Sequence, residues 1–102
     1  MRVIIPPLAE VDLDEIYTFY AEKSVMAATK IYHSILDEIE ILERFPKIAP
    51  VEPLLTDQTK TFRSLLVAKG LFKVIYFLES EMIYITHIWC CRQNPQNLQR
   101  RH

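Results

Sequence analysis

Hydrophobic positions follow two different periods along this chain, and the change falls near residue 50. Between Leu8 and Glu22, Ala9, Leu13, Ile16 and Tyr20 recur at three- and four-residue spacing while Glu10, Asp14 and Glu15 point away, which predicts an amphipathic helix with acids near its positive N-terminal end. Ser24 then stands as the N-cap of a second helix. That helix runs to about Arg44, with Ala28, Ile31, Ile35, Ile39 and Leu42 on one stripe and Pro46 closing it. So short a joint between the helices predicts an antiparallel hairpin. Ahead of them, the apolar and β-branched RVII reads as a strand, stopped by Pro6-Pro7.

Beyond the proline-punctuated loop FPKIAPVEP (45–53) the pattern becomes one of strands: TFRSLLV (61–67), LFKVIYFLE (71–79) and MIYITHIW (82–89). The segments Ala68-Lys69-Gly70 and Ser80-Glu81 are short enough to be hairpin turns, so the three strands form an antiparallel meander. The second and third are apolar on both faces, as strands are when helices cover one side and a loop or partner covers the other. The tail QNPQNLQRRH is polar and basic, a short helix or a flexible end. The expected fold is α+β: a small, mainly antiparallel sheet with an N-terminal helical hairpin packed on one face, in the order β-α-α-β-β-β.

With 102 residues, half of them hydrophobic and a quarter charged, the chain has the balance of one soluble domain spanning 1–102. Gly70 is the sole glycine, so a glycine-rich phosphate loop or dinucleotide fingerprint is excluded. No stretch approaches a membrane span, and MRVIIPPLAEVDLDE has no long apolar region of the secretory kind; a cytoplasmic location is the expectation. Charge is distributed unevenly. Residues 1–52 carry ten acids against five bases, a net of −5, and residues 53–102 carry seven bases against three acids, a net of +4. A basic half suits a polyanion or an acidic protein segment, although solvated acidic helix faces would produce the same asymmetry.

Few residues carry candidate chemistry. His87 is the one histidine in the strand region and has an ordinary pKa near neutrality. Alternation along MIYITHIWC places it on the face of Ile83, Ile85 and Trp89, the setting of a hydrogen-bonded core histidine. His33 belongs to the surface or packing of the second helix, and Tyr76 and Tyr84 read as core tyrosines with hydrogen-bonded hydroxyls. His87, Cys90 and Cys91 could be soft ligands, but adjacent cysteines on a strand point to opposite faces and no second ligand pair exists, so neither metal nor cofactor is expected. Neighbouring cysteines make only a strained disulfide, and reduced thiols are expected.

In order along the chain, PLAEVDLDEIYTFYAEKS, a long helix ending in LERFPKIAP, then FRSLLV, FKVIYFLESEMIYITHIW and an arginine with a nearby NP resemble the RelE/ParE superfamily of bacterial toxins, from about Leu8 to Pro95. The resemblance implies the toxin half of a type II toxin–antitoxin system of the plasmid-stabilisation kind, bound and neutralised by a cognate antitoxin, in a toxin–antitoxin hetero-oligomer. RelE-like members cut ribosome-bound mRNA without metal, whereas ParE-like members inhibit DNA gyrase; a degenerate, non-catalytic interaction module is a third alternative. Metal-free RNA cleavage requires a general base, an acid for the leaving oxygen and cations around the phosphate. By the resemblance, Arg63 and Arg92 would supply charge, Lys73 would position substrate with Arg63, and His87 is the candidate base. Against Arg63 stands an arginine paired with an acid or set at the sheet edge; against Arg92, a solvated surface residue. The sequence departs from RNA-cutting relatives by lacking a tyrosine or histidine soon after the last strand, before the terminal His102, and it has Cys90 where many ParE-like members have histidine. The absence of that late acid-base residue favours the ParE branch. An excess of Leu, Ile, Phe and Tyr over what two helices and one small sheet bury fits a chain covered by a partner.

Overall fold

A computed structural model describes residues 1–55 and 59–92. Strand β1 (Arg2–Ile4) leads into α1 (Pro7–Ala21) and α2 (Val25–Arg44), and after a 3₁₀ turn at Pro53–Leu55 come β2 (Arg63–Val67), β3 (Phe72–Glu79) and β4 (Met82–Cys90). The predicted order of elements is thus the observed one. The tail from Gln93 onward, including Arg100, Arg101 and His102, lies outside the described residues, as do positions 56–58.

Local chemistry explains the boundaries. Pro7 opens α1, where a missing amide hydrogen costs nothing, and the Ser24 hydroxyl accepts a hydrogen bond from the Ala27 amide at 3.1 Å to cap α2. Ser80 and Glu81 both have positive φ, 52° and 60°, the requirement of a tight two-residue hairpin that follows the strands' twist. The β2–β3 turn uses three such residues, Ala68, Lys69 and Gly70. β2 begins two residues later than its apolar pattern, because Phe62 turns inward and its carbonyl accepts the amide of Glu52 at 2.8 Å instead of joining the β3 ladder.

The sheet order is β1-β4-β3-β2, with β1 parallel to β4 and the rest antiparallel. Both helices lie on one face. Ala9, Leu13 and Ile16 of α1 and Ile35, Ile39 and Leu42 of α2 pack there on Val67, Val74, Tyr76, Ile83 and Ile85; burial of each such leucine or isoleucine contributes about 1.5–3 kcal/mol. The opposite face carries a smaller cluster, Leu55, Phe62, Ile75 and Trp89, covered by the segment that follows Pro50. That answers the two-sided apolar pattern of β3 and β4: helices on one side and a loop on the other.

One irregularity rearranges the central strand. Ile75 pairs with His87 but the next residue, Tyr76, pairs with Ile85, so Thr86 is an extra residue on β4, a β-bulge. Its hydroxyl donates to the Ile75 carbonyl at 3.1 Å. Side-chain parity therefore inverts in mid-strand: Ile83 and Ile85 face the helices before the bulge, and Ile88 does so after it. The expectation that His87 shares a face with Ile83 and Ile85 is overturned for this reason. His87 and Trp89 lie across from Ile75 and Lys73, on the face away from the helices.

Candidate functional site

On that outer face β3 presents Lys73, and Leu66, Lys73 and Trp89 stand abreast across β2, β3 and β4. Residues 50–52 run antiparallel along the outer edge of β2, where the Pro50 carbonyl accepts the Ser64 amide at 3.0 Å and Val51 bridges to Arg63. This places the side chain of Glu52, fully buried, over the sheet. Lys73 Nζ donates to both of its carboxylate oxygens at 2.9 Å, and the Leu54 amide donates to Oε1 at 3.2 Å. Burial alone would push the Glu52 carboxyl up; hydrogen bonds from Lys73, Ser64 and Leu54 and the lysine charge outweigh it, leaving the pKa below its ordinary value of 4.5. Lys73 keeps only 17% of its side chain exposed, so its charge is already answered.

His87, expected as a candidate base, sits on this same face. It is 8% exposed, with Nδ1 3.1 Å from the Thr86 hydroxyl. Around it the face is aromatic: Tyr84 stacks on its cross-strand neighbour Phe77 at 5.2 Å, and Phe62 meets Phe77 edge-on at 5.6 Å. Cys91, exposed at the end of β4, has its thiol pushed up mainly by partial burial and less by Cys90 and the Glu52 charge, against a lowering by Lys73. A thiol so shifted is a poor nucleophile at neutral pH.

Arg63 lies elsewhere. It pairs with Tyr76 and so takes the helix side of the sheet, at the outer end of the edge strand. One guanidinium N–H donates to the Ala49 carbonyl at 2.8 Å, and the fully buried Tyr76 hydroxyl donates to the Pro46 carbonyl at 2.8 Å. Tyr76 is thus the hydrogen-bonded core tyrosine that its pattern predicts; burial pushes its pKa up, opposed by a backbone hydrogen bond with Ala49 and by the Arg63 charge. Together the two side chains tie the 45–52 loop to the sheet. Arg63 also borders a recess of about 490 Å³ shared with Lys47, Lys60 and Glu79.

Arg92 lies two residues beyond the end of β4 and borders a third region, a groove of about 280 Å³ between α1 and β4, with Asp12, Glu15, Phe19 and Cys90. The groove lies where β1, which pairs only with residues 82–84, leaves the rest of that edge of β4 without a strand among the described residues. The Asp12 carboxylate takes the place of one backbone partner by accepting the Ile88 amide at 3.0 Å. Cys90 and Cys91 are both free thiols, and His33 is exposed on α2. Among the described residues no group of three metal-ligating side chains is assembled, and no helix is long and apolar enough to cross a membrane.

The four predicted site residues therefore fall in three places: Lys73 with His87 on the outer face, Arg63 at the end of the edge strand, and Arg92 beside α1. Sequence reasoning missed Glu52 and Asp12. Each carried a signal, since Glu52 is the lone acid in the apolar run IAPVEPLL and Asp12 falls one turn from both Ala9 and Ile16, on the buried stripe.

No protein-family model matches the sequence, and no curated protein matches it. Among solved structures, a chain of the "Chromosomal ParDE TA system from P. aeruginosa" is similar to this one with a TM-score of 0.74 and 21% identity, over 88% of this chain and 95% of that chain. At that identity the likeness is one of fold.

Proposed function

We propose that this chain is the toxin half of a type II toxin–antitoxin pair, neutralised by a cognate antitoxin protein, and that it arrests growth by binding DNA gyrase. The toxin reading rests on the ordered motifs together with a fold shared with a chain of a ParDE system. The preference for gyrase rests on one observation: the candidate catalytic residues Arg63, His87 and Arg92, with Lys73, are dispersed over three regions, and Lys73 is neutralised by Glu52. Cutting RNA without metal requires a base, an acid and cations within hydrogen-bond reach of one phosphate. A binding inhibitor requires only a complementary surface.

A second reading, ribosome-dependent mRNA cleavage, is favoured by the bulge, which brings His87 to the face that carries Lys73 and the aromatic group. Expression without antitoxin separates the two. Loss of plasmid supercoiling with intact transcripts is the expected result; new mRNA ends within minutes, with supercoiling unchanged, would refute gyrase as the target. Growth arrest with neither change, or no arrest at all, would favour a degenerate interaction module.

A further inference from the structure

We propose that the outward face of α1 is a docking surface for a basic, amphipathic helix of a partner protein. Leu8, Val11, Glu15 and Phe19 follow one another at spacings of three, four and four residues, one line along the exposed side of the helix. Leu8 is 74% exposed and Phe19 67%. The Phe19 ring is not loose: it meets Tyr20 edge-on at 5.2 Å, and Tyr20 in turn meets Phe72 at 6.3 Å. A large ring braced from below and open above is the kind of side chain that anchors an interface.

The charges beside this stripe are mostly of one sign. Glu10, Asp14, Glu15 and Glu22 are exposed, and residues 7–22 contain no base. Counting Lys23, beyond the helix end, and Arg92, across the groove toward β4, acids still outnumber bases by four to two among the described residues. The helix dipole accounts for Glu10 near the N-terminus, but Glu22, at the C-cap, sits where that dipole disfavours an acid. Asp14, Glu15 and Glu22 line, with Val11, Thr18 and Phe19, a shallow recess of about 390 Å³. The exposed apolar run Ile41, Phe45 and Ile48 differs, because Arg44 and Lys47 stand among Glu40 and Glu43 and select no sign.

That rim decides what can cover the stripe. A polynucleotide and an anionic lipid surface are repelled by it. A second copy of α1 is repelled as well, since four acids would face four. An extended strand finds no backbone to pair with, because a helix interior spends its donors and acceptors within itself. A cationic helix meets every requirement: its apolar anchors pack beside Leu8, Val11 and Phe19, and its Lys or Arg side chains lie opposite Glu15 and Glu22. α1 has 15 residues and is about 22 Å long, so the partner helix has about four turns. None of the predicted site residues Arg63, Lys73 and His87 lies on this face, so the inference holds whichever target the toxin has.

The test is a ¹⁵N NMR titration of the full chain with three synthetic peptides of about 15 residues: a lysine-flanked amphipathic helix with a leucine stripe, its glutamate counterpart, and a scrambled lysine–leucine peptide without the stripe. Saturable shifts of the Val11, Glu15 and Phe19 amides with the first peptide alone are expected, weakened about tenfold in Phe19→Ala and in Glu15→Lys and unchanged in Phe45→Ala. Both positions are exposed, and an otherwise unchanged spectrum verifies that each variant is folded. No saturable shift, equal binding of the scrambled or the glutamate peptide, or equal weakening in Phe45→Ala overturns the proposal. So do concentration-dependent shifts of the same amides without peptide, the mark of a second copy, and their shifting in Arg100→Gln/Arg101→Gln without peptide, the mark of the chain's own basic end on this face.

Discussion

Replacing Glu52 with glutamine removes one charge and no volume from the most deeply buried ion pair described. The fully buried carboxylate takes two 2.9 Å contacts from Lys73 and one at 3.2 Å from the Leu54 amide. Removing one partner of a buried pair costs about 3–5 kcal/mol, because the other charge stays behind unanswered. Two features reduce that here. The Lys73 side chain is 17% exposed and can lean toward water, and the amide oxygen of glutamine still accepts one hydrogen bond, so about 2–3 kcal/mol is expected. Lys60–Glu79, with side chains 41% and 55% exposed, supplies the contrast: Glu79→Gln should cost about 0–1 kcal/mol. Urea denaturation followed by tryptophan fluorescence reads this directly, since Trp89 is the sole tryptophan, is 2% exposed and stands across from Lys73. The pH dependence has a definite sign. The folded pKa of Glu52 is below its unfolded value, so its contribution is fully present above the unfolded pKa and is lost as pH falls through the folded one. Wild type should therefore lose stability below about pH 4.5 more steeply than Glu52→Gln does. A loss under about 0.5 kcal/mol at pH 7, or identical acid limbs, would refute the reasoning that the buried Glu52 carboxylate and Lys73 stabilise the fold as a pair.

Arg63→Ala should relieve growth arrest on induction while antitoxin binding, measured by co-purification, is retained; full toxicity in a folded variant would remove Arg63 from the site. Asp12→Ala leaves the Ile88 amide without its acceptor and should cost about 1–3 kcal/mol by urea denaturation. Ser80→Asn combined with Glu81→Gly installs residues suited to positive φ in the β3–β4 turn and should stabilise by about 1 kcal/mol, read as a shifted urea midpoint with unchanged slope.

Much of the architecture was legible because it rests on local chemistry. The Ser24 cap, the helical stripes and the two turns all depend on spacing within a few residues, and all appear as expected. The partners of the site residues were not legible, because they are set by contacts between distant segments. Nothing near Lys73 in sequence reports that Glu52 lies against it, and the acid at Asp12 looks like any other in an acidic helix until β4 is docked beside it. His87 shows the sharpest failure. Strict alternation is a sound rule for a regular strand, and one extra residue at Thr86 reverses it for every position that follows.

The pairing of Arg2 with Met82 and of Ile4 with Tyr84 ties the first described strand to the last. During synthesis α1 and α2 emerge before β2, β3 and β4, which carry most of the apolar surface that buries Ile35, Ile39 and Leu42, and β1 cannot be seated until β4 has been translated. Sheet closure is thus a late event of high sequence separation, slow by its loop-closure entropy. A nascent chain of this kind carries an incompletely covered apolar hairpin until β4 has been made, so the cell meets a closed sheet only after the last described strand.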